Sequence, residues 1–134
     1  MALGVMTLIE ADPMLKHRPE LDSSVGARFR ALVNRDIEGF SLGELAFCLR
    51  QGLAVGHVAP IAIEAVAVSP FVCAEHYAGD LLASLVNSAN IGQLSARDAR
   101  EVRDICTSAI AALEALREEV VPDLIAFVEK YDAA

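Results

Sequence analysis

Between Leu53 and Val68 the chain reads Leu-Ala-Val-Gly-His-Val-Ala-Pro-Ile-Ala-Ile-Glu-Ala-Val-Ala-Val, with one charge, Glu64. A segment apolar on nearly every side has to be enclosed, so the remaining chain must wrap it. Pro60 suits a first helical turn, where a missing N–H costs little, and Pro70 stops the helix just past Ser69. Ile61, Ala65 and Val68 share one face; Ile63, Val66 and Ala67 cover most of the rest. Two rivals fail. A strand over the alternating β-branched residues would lose its phase at Glu64 and switch faces. A membrane span needs about 20 apolar residues. His57, Pro60, Glu64 and Pro70 interrupt this run, and a charge at the bilayer centre costs at least about 2.5 kcal/mol.

The rest of the sequence supplies helices to do the wrapping. With 134 residues, one domain over 1–134 buries roughly two thirds of its extended surface. Trp is absent and aromatics are 5% of a chain that is 54% hydrophobic, so the core is Ala, Leu, Val and Ile, which leans towards helix. Residues 3–11 read as a short helix. Asp12-Pro13 and Arg18-Pro19 bracket an extended link. Asp22, Ser23 or Ser24 can cap a helix carrying Val25, Phe29, Leu32, Val33 and Ile37 on one side, closed by Gly39. Ser41-Leu42-Gly43-Glu44 is a capping box; its helix buries Leu42, Leu45, Ala46 and Leu49 and ends at Gln51-Gly52, so it and the central helix form a hairpin. Phe71 to His76 link to a helix opening near Asp80, which is placed to cap it or to sit in its first turn, with Leu81, Leu82, Leu85 and Val86 inward. From Ser95 a long helix carries Val102, Cys106, Ala109, Leu113, Leu116 and Val120 in alternating steps of four and three. Pro122 is expected to break it, leaving a last helix over 123–131 with Leu124, Phe127 and Val128 inward. The expectation is all-α: a single compact domain of six or seven helices around a buried central helix.

Charge bears on partners. The net charge is −8, and residues 68–134 hold eleven acids against five cations. Binding nucleic acid directly rests on cationic neutralisation, so a basic protein is the better-matched partner. Cys48, Cys73 and Cys106 are odd in number and widely spaced, and Met1 to Met6 lacks a basic stretch. The expectation is reduced thiols, no signal peptide, no membrane span and a cytoplasmic location.

Chemistry finds little purchase. Cys73-x-x-His76 has a spacing metals use, but a zinc site needs about four ligands and no second pair matches. Neither a metal nor a cofactor is expected. Glu64 with His57 or His76 could form an acid–base pair if the carboxyl were buried and its pKa raised; that is the alternative reading, a small enzyme. A further alternative is a helical adaptor with an exposed apolar groove. Catalytic nucleophile, phosphate-loop and metalloprotease motifs are absent. The surface acids stand out instead: Glu114, Glu118, Glu119 and Asp123 in one cluster, Asp36 and Glu38 in another.

Residues 22–87 resemble the helical immunity proteins of contact-dependent growth inhibition systems. The resemblance rests on four pieces in order: Asp22-Ser23-Ser24-Val25 before an Arg-bearing helix; Phe40-Ser41-Leu42-Gly43-Glu44-Leu45 followed by Leu49-Arg50-Gln51-Gly52-Leu53; Val58-Ala59-Pro60-Ile61-Ala62-Ile63-Glu64; and Tyr77-Ala78-Gly79-Asp80-Leu81-Leu82, where the family commonly has Pro at the position of Ala78. Residues 88–134 match no pattern of the family. The resemblance implies a non-enzymatic inhibitor in the producer's cytoplasm. Such a protein binds, 1:1, the C-terminal toxin domain of an exported effector, often a nuclease and in some cases one acting on tRNA. A helical surface of about 800 Å² per partner would cover the toxin's active site or substrate groove. The candidate contact residues are Asp36, Glu38, Glu75, Tyr77, Glu114, Glu118, Glu119 and Asp123.

Overall fold

A computed structural model describes residues 6–17 and 24–133. The chain folds as α1 (Leu8–Ala11), a 3₁₀ turn (Pro13–His17), α2 (Ser24–Leu32), a second 3₁₀ turn (Ile37–Gly39), α3 (Leu42–Gln51), α4 (Val55–Val68), α5 (Asp80–Asn90), α6 (Ala96–Ala115), a π-helical turn (Leu116–Val120) and α7 (Val121–Ala133). Among the described residues there is no strand. Two isolated bridges occur, Thr7 with Asp36 and Cys73 with Ala78. The all-α expectation holds, with six helices if α6 and α7 are taken as one.

The starts of α3 and α6 follow the sequence closely. Ser41 caps α3: its hydroxyl accepts from the Glu44 N–H at 3.1 Å, and the Glu44 carboxylate accepts from the Ser41 N–H at 2.8 Å. Ser95 caps α6 by accepting from the Asp98 N–H at 3.1 Å. Removing either hydroxyl costs about 1 kcal/mol. The cap proposed at Asp22 or Ser23, and residues 3–5 of the first helix, lie outside the described residues. Gly52 ends α3 in the left-handed region, φ 70°.

The core is one cluster. Leu45, Cys48 and Leu49 of α3, Val58, Ala62 and Val66 of α4, and Leu81 and Leu85 of α5 are fully buried together. Burial raises the Cys48 thiol to about 12, so it stays protonated and inert. The Ser88 hydroxyl donates to the Leu49 carbonyl at 3.4 Å and ties α5 to the end of α3.

The first two helices are shorter than expected: α1 begins at Leu8 behind its Thr7 cap, and α2 ends at Leu32, leaving Ile37 to open a separate 3₁₀ turn. Pro13–His17 of the expected extended link is itself a 3₁₀ turn. Three further expectations need correction. First, α4 starts at Val55, so Pro60 is interior rather than first-turn. The proline is tolerated because it and Gly56, whose carbonyl it leaves without a donor, are both exposed. Second, α4 is not enclosed all round: His57, Pro60, Glu64 and Ala67 face solvent, and Val68 is 88% exposed. Third, Pro122 does not break the last helix. The Val121 N–H reaches the Leu116 carbonyl, five residues back, and the chain stays helical through Leu116 and Val121. Widening one turn by about one residue lets a helix pass a proline. The stripe expected to point inward is buried only at Val102 and Ala109. Leu113, Leu116, Val120, Leu124, Phe127 and Val128 are all exposed. The core-forming helices α4 and α5 have 14 and 11 residues, while the α6–α7 helix runs from Ala96 to Ala133 and overshoots them. No helix among the described residues is long and apolar enough to cross a membrane.

Candidate functional site

Asp80 is the most tightly held carboxylate among the described residues. It is the first residue of α5, preceded by Gly79 at φ 89°. Its carboxylate turns back over the linker and accepts from the N–H groups of Ala74 (2.6 Å), Glu75 (2.9 Å) and His76 (2.8 Å). Burial alone would push this carboxyl up. The backbone N–H groups of His76, Ala74 and Glu75 more than offset that and hold it far below the usual carboxylate range. Asp80 thus sits in the first turn, one of the two places expected, but the N-cap is Gly79, and the Asp80 carboxylate anchors the preceding linker rather than capping α5. Gly79 is needed for its backbone: in the left-handed region a Cβ costs about 1–2 kcal/mol, so Gly79→Ala is expected to lower the urea midpoint by that equivalent.

The linker that Asp80 pins lies against α3. A Cβ on Gly43 would meet the Ala74 carbonyl oxygen at 3.3 Å. The same linker aims Glu75 at α2 and α3. Arg28 binds the Glu75 carboxylate with both terminal nitrogens, at 3.0 and 3.2 Å, while its guanidinium covers the Phe47 ring at 4.5 Å. Arg50 adds a contact at 3.5 Å and the His76 Nε2 lies at 3.8 Å. The Arg28 pair holds the Glu75 carboxyl below its ordinary value. Arg35 pairs with Glu44 at 2.6 Å over the Phe40 ring at 5.5 Å.

The opposite side of α4 carries an open cleft of about 420 Å³. Glu38 from the second 3₁₀ turn, Glu64 from α4, and Asp98 and Glu101 from the start of α6 line it, with Arg97 the one cation of the lining among the described residues. Ile61, Ile63 and Pro60 supply apolar lining. Arg97 is drawn onto Glu101 at 3.3 Å. A smaller hollow of about 150 Å³, lined by Met6, Ile37, Glu38, His57 and Ile61, adjoins it. Four carboxylates over an apolar lining suit Lys or Arg side chains, which lay an alkyl stem on hydrocarbon and a charged head on acids.

The nominated residues scatter around the molecule. Glu38 lines the acidic cleft. Asp36 caps the second 3₁₀ turn, its carboxylate accepting from the Glu38 N–H at 3.1 Å. Glu75 is engaged by Arg28 and Arg50. Tyr77 is exposed on the linker, and Glu114, Glu118, Glu119 and Asp123 are exposed on the far helix. Of Glu38, Glu64, Asp98 and Glu101, only Glu38 is among the expected contact residues, and Glu64, expected on an enclosed helix, is exposed; a lone charge in an apolar run is the one sign in the sequence that it faces out. For the acid–base alternative, Glu64 is exposed in an open cleft and His57 lines the separate hollow. Among the described residues no group of three or more His, Cys, Asp or Glu could hold a metal ion.

A family model described as CDI immunity proteins matches residues 10–101. Neither a curated protein nor a solved structure matches the chain. The matched stretch contains the Ser41–Glu44 box, the Asp80 anchor, the whole of α4 and the acidic cleft; it reaches beyond residues 22–87 on both sides, so residues 88–101, expected to lie outside the family's pattern, belong to it, and it stops in the first turns of α6. Since it spans more than half of the 134 residues, the chain belongs to the family of CDI immunity proteins.

Proposed function

We propose that this immunity protein neutralises one cognate toxin domain by binding it 1:1 in the producer's cytoplasm, without chemistry of its own, and that the α4–α6 cleft is the face that meets the toxin. The observation that carries the reading is the cleft's composition: four carboxylates, one cation already paired, and an apolar lining, all inside the family-matched stretch. A toxin acting on nucleic acid grips phosphates with a basic groove. An acidic protein seated there would exclude the substrate by bulk and by charge. Opposite potentials accelerate encounter, and the acceleration fades as salt screens it.

The test uses the toxin domain of the effector expected to be encoded immediately upstream. Mixed with it, the protein should co-elute as a 1:1 complex and suppress the toxin's activity stoichiometrically, with an association rate that falls steeply as salt rises. An unchanged toxin rate in the presence of excess protein would end the proposal.

A further inference from the structure

Beyond the family-matched stretch, residues 110–133 form a bare helical arm. Ten large apolar side chains on it, from Ile110 to Tyr131, are between 38 and 73% exposed. Leu124, Ile125, Val128 and Glu129 shape a groove of about 360 Å³. We propose that this arm is a self-association surface, pairing antiparallel with the same stretch of a second copy.

The area fits. Burying an aliphatic side chain of this size removes about 60–120 Å² from water and an aromatic one about 150–250 Å². Eight of the first kind and two of the second, with about half of that outside, offer on the order of 600 Å², one partner's share of an interface at the lower end of the specific range. Two free stretches laid antiparallel overlap along their whole length, about 36 Å at 1.5 Å per residue.

The shape fits as well. A two-fold contact requires that whatever residue meets another is met by it in return. The arm is small at its near end, with Ala112 beside the buried Ala109, and bulky at its far end. There Phe127 and Tyr131 stack with ring centroids 5.8 Å apart. Antiparallel pairing sets Tyr131 of one copy opposite Ala112 of the other and Phe127 opposite Leu116, with the axis near Val121. A parallel pair would crowd rings against rings and leave the alanine ends apart.

The arm carries six acids and two cations, net −4. Two copies therefore repel through their flanks, and screening this repulsion tightens the pair. The expected salt dependence is opposite to that of the toxin contact proposed above, so the two readings can fail separately.

The experiment is sedimentation equilibrium of the full chain without toxin. Twice the 14.3 kDa chain mass is expected at micromolar concentration, with the dimer fraction rising with salt. Leu124→Glu with Val128→Glu should return the chain to a monomer. The fold should be unaffected, since both side chains sit outside the core. With Cys73 and Cys106 replaced by serine, Val121→Cys should cross-link to its own counterpart. Tyr131→Cys should not, because its two copies lie about 28 Å apart along an antiparallel pair. A wild-type monomer, including one whose arm is covered only once toxin is added, overturns the proposal. So does a dimer that survives the double substitution or a Tyr131→Cys self-cross-link.

Discussion

Asp80→Ala is expected to cost about 3 kcal/mol of folding free energy, a large share of the 5–15 kcal/mol that holds a domain together. Hydrogen bonds to a charged acceptor contribute about 1.5–3 kcal/mol each, and the carboxylate serves three N–H groups at 2.6–2.9 Å. The linker is partly exposed, so water recovers some of the loss. Asp80→Asn keeps one acceptor oxygen and should cost less. The pH dependence has a definite sign. The folded carboxyl lies below its unfolded value of about 3.9. Its contribution is therefore fully present above that value and is lost as pH falls towards the folded one. Glu75 and Glu44, both lowered, act in the same direction. The gap in urea stability between wild type and Asp80→Asn should narrow as the solution is acidified from neutrality to about pH 3. A gap that stays constant would show that the carboxylate is not the source of the stability.

Reversing charge in the cleft is the second large effect. Glu64→Lys with Glu101→Lys replaces two of its four carboxylates with cations. Glu64 is exposed and Glu101 makes only a surface pair with Arg97 one turn away, so stability should change by less than about 1 kcal/mol. Toxin binding should weaken about 100-fold, mostly through slower association at low salt. Glu114→Lys with Glu118→Lys makes the same change in net charge on the distal arm and serves as the control. If the arm variant loses affinity and the cleft variant does not, the toxin sits on the other end of the molecule.

Much of the fold was legible because it depends on local chemistry. The Ser41–Glu44 box, the Ser95 cap and the stops at Gly52 and Pro70 each act within a turn, and each is where the residues placed it. Periodicity was legible too, but it says which residues share a stripe and not what covers them. The stripe from Val102 continues past Ala109 with no change in pattern, and only the lengths of α4 and α5 decide where its cover ends. Proline was ambiguous for a related reason. Pro60 and Pro122 each leave a carbonyl without its donor, and whether the helix survives depends on solvent and on an available widened turn. Ala54, at φ 48° without being glycine, carried no signal at all.

The site was less legible than the fold. Runs of acid at 114–123 are conspicuous in a linear reading, whereas the cleft draws on residue 38, residue 64 and residues 97–101. Only tertiary packing brings these together. Glu75 presents the converse difficulty. It reads as a free surface acid, yet its charge is already matched within the chain by Arg28 and Arg50.

The turn at Leu116–Val120 behaves as one surplus residue stored in the backbone. Restoring a donor at 122 would let the segment relax to ordinary winding and swing everything beyond it by about 100°, whereas deleting the surplus residue would leave that orientation as it is. Because that swing leaves α3, α4 and α5 untouched, a lineage could re-aim its outermost helix in one mutational step while the body that carries the family's motifs stays as it is.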